Sequence, residues 1–155
     1  MNRLLALTLA FLLSSFAAHA QSVHAWEGTI TIPTYPLGPP DPNPPFALVN
    51  PHPVYPYPML DDLSDQRVLK TWRAIYLENE YLKCSVLPDI GGHVYTCVDK
   101  ISGQPMFYAN SSLKKAEIGY RGAWAAFGVE FNFPVSHNWM SMSPVAFNFT
   151  WFRWL

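Results

Sequence analysis

Eleven of the fifteen prolines crowd into the stretch from Pro33 to Pro58. Each one fixes φ and removes a backbone donor, so this stretch can be neither helix nor sheet interior. It predicts an extended, polyproline-like strap. Tyr35, Phe46, Tyr55 and Tyr57 are threaded through it. That much aromatic surface predicts a strap laid against the domain rather than held in solvent. The alternative is a proline-rich ligand for another protein. The ordered core must come from the residues on either side.

Those residues repeat with period two. Trp26 to Ile32 sets Ile30 and Ile32 against Thr29 and Thr31. After an acidic turn from Asp61 to Asp65, strands are predicted over 72–78 and 81–87, with Leu82, Cys84 and Val86 on one face. Pro88-Asp89-Ile90-Gly91-Gly92 reads as a turn, and residues 93–99 as the next strand. Lys100-Ile101-Ser102-Gly103 turns the chain again, into Met106-Phe107-Tyr108. No capped amphipathic helix interrupts the series. The expected fold is all-β, an antiparallel sandwich or barrel.

The N-terminus predicts export. Arg3 precedes an apolar run from Leu4 to Phe16, and Ala18-His19-Ala20 supplies a small–any–small cleavage pattern. Residues 1–20 are thus expected to be a signal peptide, with the mature chain starting at Gln21 in the periplasm or outside the cell. The remaining 135 residues suffice for one domain. Losing Arg3 leaves nine Lys/Arg against eleven Asp/Glu, a net charge of −2. Such a chain has no electrostatic footprint for nucleic acid or an anionic membrane, and no second apolar run is expected to span a bilayer. Export would let a disulfide persist. Cys84 and Cys97 flank the Gly-Gly turn on adjacent predicted strands, so they are either a cross-strand bridge or two small buried hydrophobes. No Cys-x-x-Cys and no histidine cluster at metal spacing predicts a zinc site, and no cofactor is expected.

The stretch Arg121 to Phe133 carries the chemistry. Read as one strand, positions 123, 125, 127, 129, 131 and 133 are Ala, Ala, Phe, Val, Phe and Phe, an apolar face. The other face is Trp124, Ala126, Gly128, Glu130 and Asn132: an aromatic platform, a floor of small side chains, then two hydrogen-bonding groups. A pyranose suits such a surface, with a C–H face to stack on tryptophan and a rim of hydroxyls seeking polar partners. His137, Asn138 and Trp139 follow directly. The candidate carbohydrate-binding set is Arg121, Trp124, Glu130, Asn132, His137 and Trp139. Alternatively Glu130 is a solvated outer-face charge. Trp124, Phe127 and Phe131 also sit at helical spacing, although Gly119, Gly122 and Gly128 weigh against a helix. One carboxylate does not make a glycosidase; Glu117 and Asp99 could be second members, but no spacing selects them. No nucleophile elbow or phosphate loop is present. His93 reads as readily as a strand-end surface residue as a chemical one.

Leu87-Pro88-Asp89-Ile90-Gly91-Gly92-His93-Val94-Tyr95, Asp99-Lys100-Ile101-Ser102-Gly103, Arg121-Gly122-Ala123-Trp124 and Gly128-Val129-Glu130-Phe131-Asn132-Phe133-Pro134 together resemble a family of exported bacterial proteins of unknown function. That family's N-terminal domain is similar to galactose mutarotase and is often followed by tetratricopeptide repeats. The resemblance runs over about residues 26–145. It implies a mutarotase-like β-supersandwich that handles carbohydrate. In mutarotases a histidine protonates the ring oxygen and a glutamate takes the anomeric proton. That glutamate lies later in the domain than anything here, so the implication stops at Glu130, Asn132 and His137 as sugar-facing positions. From Val145 to Leu155 the tail departs from the family pattern, and the chain reads as the N-terminal portion of a truncated or frameshifted member. The expectation is a secreted carbohydrate-binding domain. The alternative is a non-catalytic structural or protein-interaction module of the cell envelope.

Overall fold

A computed structural model describes residues 22–42, 59–119, 122–131 and 142–150. The predicted signal peptide and the middle of the proline segment, with Phe46, Tyr55 and Tyr57, lie outside the described residues. Four strands form an antiparallel sheet in chain order: β1 (His24–Thr34), β2 (Val68–Glu78), β3 (Leu82–Leu87) and β4 (His93–Asp99). Two short strands, β5 (Ala116–Gly119) and β6 (Gly122–Trp124), pair separately and antiparallel. Among the described residues there is no helix, and the fold is all-β and antiparallel, as the period-two pattern requires.

Strand alternation places the core. Ile30 faces Trp72 across β1 and β2, two residues from Ile32 on one strand and Ala74 on the other. Ile32, Trp72 and Ala74 are buried with Leu87, Ile90, Leu113, Ala125 and Phe127 in one apolar cluster. The buried Trp72 indole donates from Nε1 to Thr34 Oγ1 at 3.1 Å, and Thr34 Oγ1 donates to the Ile32 carbonyl at 2.9 Å. Every polar atom in that relay has a partner, which makes its burial tolerable. On the opposite face Thr31 and Thr71 share a hydroxyl–hydroxyl bond of 3.0 Å.

β1 runs two residues beyond Ile32 and takes in Pro33. It lies at the end of the sheet order, where a missing donor removes no ladder bond. The outer side there meets Leu113: Leu113 N donates to Pro33 O at 2.8 Å and Tyr35 N to Leu113 O at 2.9 Å. The strap therefore begins after Thr34, not at Pro33. Its two described ends run together, with Gly38 N on Asp62 O at 2.9 Å and Asp41 N on Met59 O at 2.8 Å. Met59 is buried, so these two described ends pack on the domain; the stretch between them, with Phe46, Tyr55 and Tyr57, lies outside the described residues.

The alternative left open for the two cysteines is decided. Cys84 and Cys97 are register partners on β3 and β4, 4.0 Å apart at Cα, and form a disulfide. Met106-Phe107-Tyr108 is not a strand. Val98 makes one bridge to Pro105, which has no N–H to extend a ladder, and Met106 and Tyr108 are exposed. The described residues from Met142 onward pack on the domain. Met142 packs on the core, Gly91 N donates to Ser143 O at 2.7 Å, and Val145 N donates to Pro88 O at 2.8 Å.

Candidate functional site

The stretch after β6 curls where a straight strand was expected. In an extended strand, six residues would hold Trp124 and Glu130 about 20 Å apart. Instead Trp124 Nε1 donates to Glu130 Oε2 at 2.9 Å. The cause is Gly128. Its φ is +55°, a left-handed value that favours glycine, and a Cβ there would run into the carbonyl oxygen of Val94. That close approach lets Val129 and Val94 exchange both backbone bonds at 2.9 Å. The predicted alternation therefore holds through Ala125 and Phe127, which are buried, and fails afterwards. Val129 and Phe131, expected in the core, are exposed, Phe131 to 59%. No helix forms here, so the helical spacing of Trp124, Phe127 and Phe131 is coincidental.

The same bridge brings this curl against the first residue of β4. His93 is 1% exposed, which corrects the expectation that it is as readily a surface residue. Its ring stacks on Phe127 with centroids 4.2 Å apart, and Nδ1 lies 3.3 Å from the Phe127 carbonyl. A carbonyl only accepts, so Nδ1 carries the hydrogen in that bond. Nε2 then faces Glu130 Oε2 at 3.9 Å. A single carboxylate oxygen thus lies beside both an indole N–H and a buried imidazole. The Trp124 ring is held at a fixed angle, half-buried, next to the exposed Ala126. Beyond it, Asn110 donates from Nδ2 to the Ala126 carbonyl and accepts at its own carbonyl from the Tyr95 hydroxyl at 2.8 Å. Burial pushes the Tyr95 phenol up from its ordinary pKa.

Of the candidate set, the structure brings Trp124 and Glu130 into contact. Arg121, Asn132, His137 and Trp139 lie outside the described residues, as does the Glu117 side chain. Asp99 is committed to a turn: Oδ1 accepts from Ile101 N and Oδ2 from Ser102 Oγ, both at 2.9 Å. The Ile101 N–H holds its carboxyl below the usual aspartate range. It is no partner for Glu130 in these contacts. His93, Tyr95 and Asn110 were not selected by sequence. The only hint was His93's position directly after the double glycine. Among the described residues there is no group of three or more potential metal ligands and no helix long and apolar enough to cross a membrane.

A protein-family model described as a domain of unknown function, DUF5107, matches residues 49–151. It starts later than the motif resemblance and runs six residues past Val145, so most of the tail expected to depart from the family falls inside the match. Among solved structures, the chain is similar to a TPR-domain containing protein from Parabacteroides distasonis ATCC 8503. The two share 35% identity with a TM-score of 0.69, over 81% of this chain and 22% of that one. The chain thus spans less than a quarter of that relative's length. With two thirds of its residues inside the family match, this chain belongs to the DUF5107 family.

Proposed function

We propose that this chain is an exported, mutarotase-like β-sandwich domain that binds carbohydrate on the surface carrying Trp124 and Glu130. The observation that carries the reading is the 2.9 Å bond from Trp124 Nε1 to Glu130 Oε2. It fixes an indole face beside the small, exposed Ala126, which is what a sugar ring needs to stack without paying to order its platform. The same carboxylate lies at the rim, a quarter exposed, where hydroxyls can reach it. Arg121, Asn132, His137 and Trp139, the other expected sugar-facing residues, lie outside the described residues. No reaction is assigned to it.

Calorimetric titration with a panel of mono- and oligosaccharides tests the reading. Trp124→Ala should weaken binding by about 1–3 kcal/mol, the scale of a lost aromatic surface. Glu130→Gln keeps the shape and loses the charged acceptor, and should cost about 1–2 kcal/mol. Unchanged affinity in both variants would make this face ordinary solvent-exposed surface. Export is tested separately by intact mass, which should begin at Gln21; a species still beginning at Met1 defeats that part. A second reading, a structural or protein-interaction module, is favoured by Phe131, a large exposed apolar side chain beside the rim. Loss of a protein partner on Phe131→Ser, with sugar binding absent throughout, would select it.

A further inference from the structure

A second cleft lies at the far end of β1 and shares no residue with the Trp124 surface. Register places Trp26 opposite Tyr76 and His24 opposite Glu78, with Glu78 opposite Lys83 on β3. All five therefore share one face of the sheet. Toward Thr34 that face is core, through Ile30, Ile32, Trp72 and Ala74. At this end the core gives out, and Trp26 is 36% exposed.

The aromatic residues here are arranged as a platform. A Cβ on Gly28 would lie 3.0 Å from the Tyr76 ring, so the glycine lets that ring lie across β1. The Tyr76 hydroxyl donates to the Thr29 carbonyl at 3.0 Å, which pins it. Trp26 then stacks on Tyr76 with centroids 5.2 Å apart and planes 21° from parallel. Lys83 Nζ lies 5.4 Å from each ring centre.

Polar groups close the rim. Lys100 donates from Nζ to Glu78 Oε1 at 2.6 Å and to the Asn79 carbonyl at 2.8 Å. An ammonium has three donors, so one N–H remains beyond these two bonds. The backbone under the rim is fixed: Asn79 Oδ1 accepts from Tyr81 N and Leu82 N, and Lys100 N donates to Tyr81 O. The cleft measures about 320 Å³ and is lined by Ser22, His24, Trp26, Glu78, Asn79 and Lys100. That is the lower end of ligand-site volumes, room for one small ring.

We propose that this cleft is a second carbohydrate subsite, taking one pyranose of a glycan on Trp26 with its hydroxyl edge toward Glu78 and Lys100. An acceptor carboxylate and a donor ammonium side by side match vicinal hydroxyls, which can give one hydrogen and receive another. A wholly apolar ring would bury that pair without replacing its water, at a cost. An organic cation would meet Lys83 and Lys100 first. The chemistry is that of a neutral sugar with equatorial hydroxyls.

The indole N–H signals of the purified chain report both surfaces in one NMR spectrum, with Trp26 and Trp124 assigned by conservative Phe variants. Methyl β-glucopyranoside, methyl β-galactopyranoside, cellotetraose and xylotetraose are titrated to tens of millimolar. The proposal expects the Trp26 signal to shift and saturate with at least one of them. Lys100→Gln and Glu78→Gln should each weaken that site about tenfold while leaving the Trp124 response unchanged. If the Trp124 signal responds and the Trp26 signal does not, this proposal falls and the first reading stands. Saturation at Trp26 with no response at Trp124 supports the second cleft and defeats the first. A Trp26 response indifferent to both rim variants is unspecific stacking and overturns the proposal, as does silence at both indoles.

Discussion

Gly128 offers the sharpest test of how the Trp124–Glu130 contact is built. Gly128→Ala must hold a left-handed φ near +55°, which costs an alanine about 1–2 kcal/mol. Its Cβ would also lie inside contact distance of the Val94 carbonyl and 3.0 Å from that of Tyr95. The strand cannot yield there without giving up the two reciprocal Val94–Val129 bonds, about 1 kcal/mol each. The expected loss is therefore about 3–4 kcal/mol. Gly103→Ala is the control, because Gly103 has φ +71° and no atom within 4 Å of its missing Cβ. It should lose only about 1–2 kcal/mol, from the backbone conformation alone. Urea unfolding by far-ultraviolet circular dichroism gives both values. Amide exchange should be faster at Val94 and Val129 in the first variant only. Equal losses in the two variants, with both amides still protected, would refute the close-approach argument.

The Cys84–Cys97 bridge closes a loop with a sequence separation of 13, and chain entropy gives its removal a cost of up to about 3 kcal/mol. The double Cys→Ala variant measures that by urea unfolding, and a mass gain of about 2 Da on reduction checks the bridge itself. Burial, then the nearby Lys70 charge, brings the Lys115 ammonium down to about 8. Its folded pKa lies below the unfolded one, so the unfolded chain holds the extra proton between the two values and stability rises with pH across that window. The penalty, discounted for partial exposure to about 1–2 kcal/mol, is full below about 8 and gone above the ordinary lysine range. Lys115→Met should flatten that limb of the stability–pH curve; an unchanged slope would show that Lys115 is solvated.

What the sequence disclosed was the part written in local periodicity. β1, β2, β3 and β4 fall within a few residues of their expected bounds because Ile30, Ile32, Trp72 and Cys84 alternate with polar neighbours. The misreading after Phe127 came from extending one period through a glycine. Gly128 takes a left-handed φ, and the alternation of residue types cannot report the sign of φ. His93 was missed for a different reason. Its burial depends on Phe127, 34 residues away, and no local signal carries that contact. The inclusion of Pro33 in β1 has the same root, since an edge position is defined by which strand is absent beside it.

Because the sheet order repeats the chain order, each strand meets its partner already in place as the polypeptide emerges. β2, β3 and β4 can assemble as successive hairpins, while β1 has to wait for residues 35–67 before its partner arrives. The apolar side of the finished sheet is another matter, for Leu113, Ala125 and Phe127 arrive only after β4 is complete. During that interval Ile32, Trp72, Ala74 and Leu87 form an uncovered greasy surface on an otherwise organised intermediate. A chain stalled just past Asp99 would therefore be a well-formed sheet and a strong client for holdase chaperones, with release depending on delivery of the next thirty or so residues.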